Sequence, residues 1–410
     1  MYKRNITDKV LEALRDTPVV FLNGARQTGK STLMKIISDE VYPADYLTLD
    51  DSTILAAASG DPQGFVSAIE GPVVIDEVQR VPDLFLAIKA EVDRNRKPGK
   101  FLLTGSANVL LLPKIAESLV GRMEILTLWP LSQGEIESHK ENFFDILFLN
   151  KSISQKKYEL HQTELIKKIL IGGFPEILSR QSVERQKAWF SSYLTTILQR
   201  DIRDISNIEG LTSLPRLLSL LSTRLCSLLN FSELSRTISI PQSTLKRYLT
   251  LLETIFLFKL LPAWSGHLGK RLLKSPKILL TDTGLASYLM GVDQKRIKDN
   301  PQLLGSLLEN FVIMEIYKQT GWSKEQISLF HFRTQTGQEV DLVLENPAGR
   351  IVGIEIKSSS SVRPEDFKGL RYLQEEIKSK FVCGIVLYTG SNVVSFGPNL
   401  KAIPISSIWK

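Results

Sequence analysis

The sequence predicts an α/β protein that opens on a parallel sheet, continues through a mostly helical middle and ends in a second α/β region. Three observations carry this. First, short runs apolar on both faces alternate with helical patterns: Pro18-Val19-Val20-Phe21-Leu22-Asn23, Gly71-Pro72-Val73-Val74-Ile75-Asp76-Glu77 and Lys100-Phe101-Leu102-Leu103-Thr104-Gly105. Strands of a helix-covered parallel sheet look like this. Second, residues 165–225 are mostly helical in period, broken at Gly172-Gly173-Phe174-Pro175. Third, strand-like runs return beyond about residue 301. A chain of 410 residues exceeds one ordinary core, so two or three domains are expected.

Taken in order, residues 1–16 read as a helix, with Ile6, Val10, Leu11 and Leu14 at helical spacing and Asp8 near the start. The first strand leads through a glycine-containing loop into a helix at 31–38. A helical pattern covers 81–94, and a strand is expected at 124–128. Residues 231–255 read as two helices around a short turn at 238–241, followed by two wing-like strands at 256–261 and 274–280. The last section opens with a helix at 304–320. Strands follow at 328–333, 339–345, 351–357 and 381–387, with a helix at 364–377 between the last two. No internal repeat is visible.

Hydrophobic residues make up 43% of the chain and charged residues 23%, an ordinary globular balance that argues against disorder. The net charge of +7 is weak support for an anionic partner such as nucleic acid. Cys226 and Cys383 lie far apart, and His139, His161, His267 and His331 are scattered, so no disulfide framework or zinc spacing exists. A cytoplasmic location fits. The first residues lack the apolar core of a signal peptide. Glu253 and Lys259 interrupt the most apolar stretch, so a soluble protein without a membrane span is expected.

The strongest motif is Gly24-Ala25-Arg26-Gln27-Thr28-Gly29-Lys30-Ser31, a match to G-x-x-x-x-G-K-[ST] between a strand and a helix. Glycines let backbone N–H groups wrap phosphate, and the helix N-terminus adds its dipole. Lys30 would reach the β and γ phosphates, Ser31 would ligate Mg²⁺, and Thr32 closes the loop. The bare pattern arises by chance in roughly one chain in a hundred of this length. The second strand ends in Asp76-Glu77, where Asp76 would hold Mg²⁺ through water and Glu77 would polarise the attacking water. Thr104 and Ser106, after the third strand, are both candidates for a polar contact to the γ-phosphate or that water. Arg122 precedes the strand at 124–128; it reads either as an arginine finger for a neighbour's ATP or as a surface arginine.

These residues, with Ile75-Asp76-Glu77-Val78-Gln79, Leu103-Thr104-Gly105-Ser106, Gly121-Arg122, Gly172-Gly173-Phe174-Pro175-Glu176 and Gln199-Arg200-Asp201-Ile202, resemble the prokaryotic AAA+-like ATP-binding protein family. The resemblance implies a P-loop AAA+ sheet with a helical lid, ATP and Mg²⁺ as cofactors, and a homo-oligomer, possibly a ring. Gly173-Phe174-Pro175 looks like a Gly-x-Pro element near adenine, or simply a helix-breaking turn.

In the back half, Gln242, Ser243, Lys246 and Arg247 share one side of the second helix of a winged helix–turn–helix pattern. Such a face suits DNA, although winged helices also serve as protein-binding and lid modules. Further on, Gly337-Gln338-Glu339-Val340-Asp341-Leu342-Val343 is followed by Ile354-Glu355-Ile356-Lys357. Alternation puts Glu355 and Lys357 on one face, where Asp341 can join them if the strands pair. Asp341 and Glu355 would bind Mg²⁺, Lys357 would orient or deprotonate water, and Glu309 could complete the set. This order resembles the PD-(D/E)XK nuclease core, with Val340-Asp341 where Pro-Asp is usual. An inert strand face, or a retained fold with lost activity, reads alike.

The expected domains are an ATPase core at 1–162, a helical lid at 163–222, a winged helix at 223–298 and a nuclease-like domain at 299–410. The leading expectation is an ATPase controlling a Mg²⁺-dependent nuclease on DNA, in DNA maintenance or defence. The alternative is an ATP-dependent switch or scaffold whose back half binds DNA or protein without cutting.

Overall fold

The apolar runs of the N-terminal third become the strands β1 (Val19–Asn23), β2 (Asp45–Thr48), β3 (Val73–Asp76), β4 (Phe101–Gly105) and β5 (Met123–Thr127) of a computed structural model. The described residues are 2–106, 119, 121–148, 160–201, 213–267, 269, 271 and 274–410. They form two compact units, Met1–Leu131 with Leu249–Leu257 and Ser132–Tyr248 with Phe258–Lys410. Ile202 of the Gln199–Ile202 motif, and part of the expected helical stretch, lie outside the described residues.

In the first unit the five strands run parallel in the order β2-β3-β4-β1-β5. Every residue of β1, β3 and β4 is buried, because helices cover both faces. These helices are α1 (Thr7–Leu14), α2 (Lys30–Ile36), α3 (Ser52–Gly60), α4 (Pro62–Ser67) and α5 (Leu84–Arg94). Phe21, Ile75, Phe85 and Phe101 fill one core layer, with the Phe21 and Phe85 rings edge-on at 6.1 Å. Burying each such side chain stabilises the unit by about 1.5–3 kcal/mol. The register pairs Asn23 with Gly105 and with Thr127, so the carboxyl ends of the strands gather at one edge. Open α/β sheets bind ligands at that edge.

In the second unit, the helices α6 (Gln133–Glu137), α7 (Phe143–Phe148), α8 (Gln162–Ile171), α9 (Pro175–Leu178), α10 (Val183–Thr196) and α11 (Leu214–Ser222) precede α12 (Phe231–Ile238) and α13 (Gln242–Thr254), whose residues from Leu249 on count with the first unit. An antiparallel ribbon of β6 (Phe258–Leu261) and β7 (Lys277–Leu280) follows. It is shorter than expected because Phe256 adopts a φ of 60° and Pro276, just before β7, has no N–H for a ladder. Then come α14 (Thr283–Met290), α15 (Gln294–Asp299) and α16 (Gln302–Gln319), the last buried around most of its circumference.

The C-terminal sheet is mixed, in the order β12-β13-β11-β10-β9-β8: β8 (Ser328–Arg333), β9 (Glu339–Glu345), β10 (Ile351–Lys357), β11 (Phe381–Tyr388), β12 (Val394–Gly397) and β13 (Leu400–Pro404). Helix α17 (Lys368–Ile377) connects β10 to its parallel neighbour β11. The break at Gly172 has a steric cause, since a Cβ there would lie 2.3 Å from Asp282 Oδ1. No described helix is long and apolar enough to cross a membrane.

Candidate nucleotide site and carboxylate cluster

The loop after β1 is held in shape by its own backbone. Gly24 has φ 150°, and a Cβ there would lie 2.2 Å from the Leu128 carbonyl oxygen, so only glycine fits. Gly29 (φ 94°) and Gln27 (φ 61°) supply the remaining left-handed turns. Thr28 Oγ1 donates to Ala25 O at 2.9 Å. Arg26 lies between them in the loop. Lys30, first residue of α2 and 4% exposed, donates from Nζ to Gly24 O at 3.0 Å and Ala25 O at 2.9 Å. Arg4 clamps the loop from below, donating to Thr28 O and to Trp129 O, each at 2.6 Å.

Across this loop the acidic end of β3 is tied to its neighbours. Asp76 accepts from the Tyr46 hydroxyl at 2.7 Å and from Thr104 Oγ1. Thr104 Oγ1 in turn accepts from Glu77 N at 3.2 Å. Glu77 takes a left-handed φ of 58° and accepts from Gln79 Nε2, which also donates to Ser106 Oγ at 3.0 Å. Thr104 thus meets Asp76 directly, and Ser106 reaches Glu77 through Gln79.

The Tyr46 hydroxyl donates to Asp76; burial, then Asp76, raises its pKa above the usual phenol range, and the neighbouring Ser31 side chain opposes that rise. Ser31 and Asp76 therefore converge on one hydroxyl beside the loop. An all-oxygen donor pair at that point fits Mg²⁺. Arg4 and Tyr46 were not legible as site residues: Arg4 stands in no motif, and Tyr46 lies on a half-exposed strand of four residues.

Arg122 stands at the other end of the sheet. Its carbonyl accepts from Val19 N, at the start of β1, and its Nε bonds Asp93, whose carboxyl it holds below the usual range. It is not brought to the phosphate loop of its own chain.

In the second unit, β9 and β10 pair so that Asp341 lies beside Glu355 and Lys357. Asp341 Oδ2 accepts from Ile356 N at 2.9 Å, and Glu355 Oε2 accepts from Lys357 Nζ at 3.2 Å. Burial, then Asp341, raises the Glu355 pKa well above the carboxylate range. Glu309 on α16 bonds instead to a residue the sequence reading did not select: Lys277 Nζ lies 2.7 Å from Glu309 Oε1, 3.0 Å from Glu339 Oε1 and 3.6 Å from Asp341 Oδ1. Burial and the Asp341 charge push the Glu309 carboxyl up to about 7. Burial disfavours the Lys277 charge, yet Glu309, Asp341 and Glu339 together hold its pKa above the lysine range.

Among the described residues no group of three or more histidine, cysteine or acidic side chains is placed to hold a metal ion. As arranged, this cluster does not fit a resident Mg²⁺. Lys277 escaped notice because nothing near it in sequence resembles a motif.

On α13 the side chains of Gln242, Ser243, Lys246 and Arg247 are all exposed. Gln242 Nε2 donates to Ser232 Oγ at 3.2 Å across the turn from α12, and Lys246 Nζ lies 5.4 Å from the Phe231 ring centre.

Residues 16–137 match the family model described as an AAA domain; residues 162–296 and 304–408 match two domains of unknown function (DUF8612 and DUF4143). Uncharacterized proteins of Mycobacterium bovis and Mycobacterium tuberculosis are each 30% identical over 407 residues, spanning 99% of this chain and 84% of theirs. An uncharacterized protein of Haemophilus influenzae is 23% identical over 392 residues, 90% of each chain.

Proposed function

From the premise that the chain belongs to the family of those two mycobacterial proteins and begins with an AAA-type P-loop ATPase domain, we propose that it hydrolyses ATP at Gly24–Ser31 and uses the nucleotide state as a switch. The observation that carries this is the convergence of Ser31 and Asp76 on one hydroxyl beside a loop that only glycine can form. The amides of residues 24–32 cradle the phosphates and Lys30 neutralises the β and γ oxygens. Ser31 and Asp76 hold the ion, Glu77 polarises the attacking water, and Thr104 keeps Asp76 and Glu77 in register. Mg²⁺ held by Ser31 and Asp76 would supply neutralisation of phosphate charge.

Arg122 serves a neighbouring copy in a homo-oligomer, a role consistent with its distance from its own loop. The lid would occupy 163–222 and the winged helix 223–298, and the exposed face of the latter on α13 is the proposed DNA contact.

For residues 299–410 the geometry favours a nuclease-like domain that binds DNA or protein without cutting, because the Lys277 ammonium lies among its carboxylates. Two measurements test the whole reading. Lys30→Ala and Glu77→Gln are each expected to lower ATP turnover at least a hundredfold. Plasmid and single-stranded DNA are expected to stay intact with Mg²⁺ or Mn²⁺, with or without ATP. Turnover that survives Lys30→Ala contradicts the first half; cleavage lost in Lys357→Ala contradicts the second.

A further inference from the structure

We infer that Lys277 is the resident cation of the Glu309, Glu339 and Asp341 cluster and keeps a divalent ion out of it. This rests on the reading of residues 299–410 as non-cleaving and supplies its physical cause. Lys277 Nζ lies 2.7 Å, 3.0 Å and 3.6 Å from the three carboxylates, and its side chain is only 3% exposed. An ammonium there takes the place a metal would need, and its charge repels any ion that approaches.

The remaining acceptors are also engaged. Asp341 Oδ2 is bonded to Ile356 N, and Glu355 faces Lys357. Four carboxyl groups (Glu309, Glu339, Asp341, Glu355) therefore share two ammonium groups (Lys277, Lys357).

Lys277 is also fixed in place. It begins β7, which pairs with β6 through Leu261 and bridges Leu228. On the other side Ile278 N donates to Ser227 O at 3.0 Å, and Cys226 N donates to Ile278 O at 2.8 Å. At the far end of β7, Asn310 of α16, next to Glu309, accepts from Leu280 N at 3.0 Å and donates to Leu280 O at 2.9 Å. Strand and helix are thus bonded to each other three residues along β7 from Lys277 and one residue along α16 from Glu309, which fixes the Lys277 backbone beside the cluster, while the three carboxylates hold its ammonium. A side chain on a hinge could act as a removable plug; this one is built in.

The test is an electron paramagnetic resonance titration of the nucleotide-free full-length protein with Mn²⁺, comparing the natural chain, Asp341→Asn, Lys277→Met and the double variant. The natural chain and Asp341→Asn are expected to bind Mn²⁺ identically. Lys277→Met is expected to gain a site at least tenfold tighter, which the double variant loses. An Mn²⁺ ion bound by the natural chain and lost in Asp341→Asn overturns the inference, as does a folded Lys277→Met that gains no site. If Lys277→Met does not fold, the first comparison still decides. DNA cleavage by the same natural sample sinks the non-cleaving reading itself, whereas an Mn²⁺ site without cleavage sinks only the role of Lys277.

Discussion

Arg4 stands outside the phosphate-loop motif, yet its guanidinium holds Thr28 and Trp129 by their carbonyl oxygens. Hydrogen bonds from a charged donor are worth about 1.5–3 kcal/mol each. Arg4→Ala is therefore expected to weaken ATP affinity by about tenfold or more and to lower the melting temperature, both measurable on one sample. Glu141 makes a different residue-scale prediction. Its Oε2 accepts from Ser132 Oγ at 2.5 Å and its Oε1 from Gly134 N at 3.2 Å; burial, then the Glu315 charge, push its pKa up to about 8. A carboxyl whose folded pKa lies above its unfolded value keeps its proton in the folded state. Stability from it is full below about 4.5, the ordinary value, and is lost as pH rises toward about 8. Glu141→Gln removes that loss, so its melting temperature is expected to exceed the natural protein's by more at pH 8.5 than at pH 5.5. An equal difference at both values would contradict it. At this scale the sequence was readable where contacts are local: Gly24 to Ser31 is one uninterrupted loop. Arg4, Tyr46 and Lys277 were not readable, since each gets its partners from remote segments brought near only by the fold.

Elements follow the same division. Strands β8 to β10 were visible as apolar runs between turn residues, because β8 and β9 are mostly buried and β10 is buried on both sides from Ile351 to Glu355. Strand β2 is partly exposed along its length, β12 has four residues with little burial, and β13 ends on Pro404, so none gave a periodic signal. The segment 364–377 starts as a tight 3-10 turn over Pro364–Phe367, with Asp366 accepting from Arg363 N, and only then becomes α17. The bond between α16 and β7 is also an element-scale feature: Asn310, fully buried, imitates a strand partner for Leu280. Asn310→Ala leaves a buried N–H and C=O unpaired, at about 1–3 kcal/mol for each group. A loss of about 2–4 kcal/mol is expected in urea unfolding of Asn310→Ala. No change in the midpoint would contradict that account.

At the scale of the molecule, a linear reading divides the chain into consecutive stretches, whereas the structure counts Leu249–Leu257 with the first unit. Helical period reveals that such a segment is apolar but not which core it joins. The proposed division of labour is equally a whole-molecule matter: nucleotide chemistry at the carboxyl edge of one sheet, and a carboxylate cluster neutralised by lysines beside another. The account depends most on the first of these. Calorimetric titration of the full-length protein with ATP in excess Mg²⁺, alongside Lys30→Ala, tests it directly. One ATP per chain is expected for the natural protein, with affinity at least a hundredfold weaker for a Lys30→Ala chain that still unfolds cooperatively. Indistinguishable isotherms from the two, or no heat from either, would contradict it.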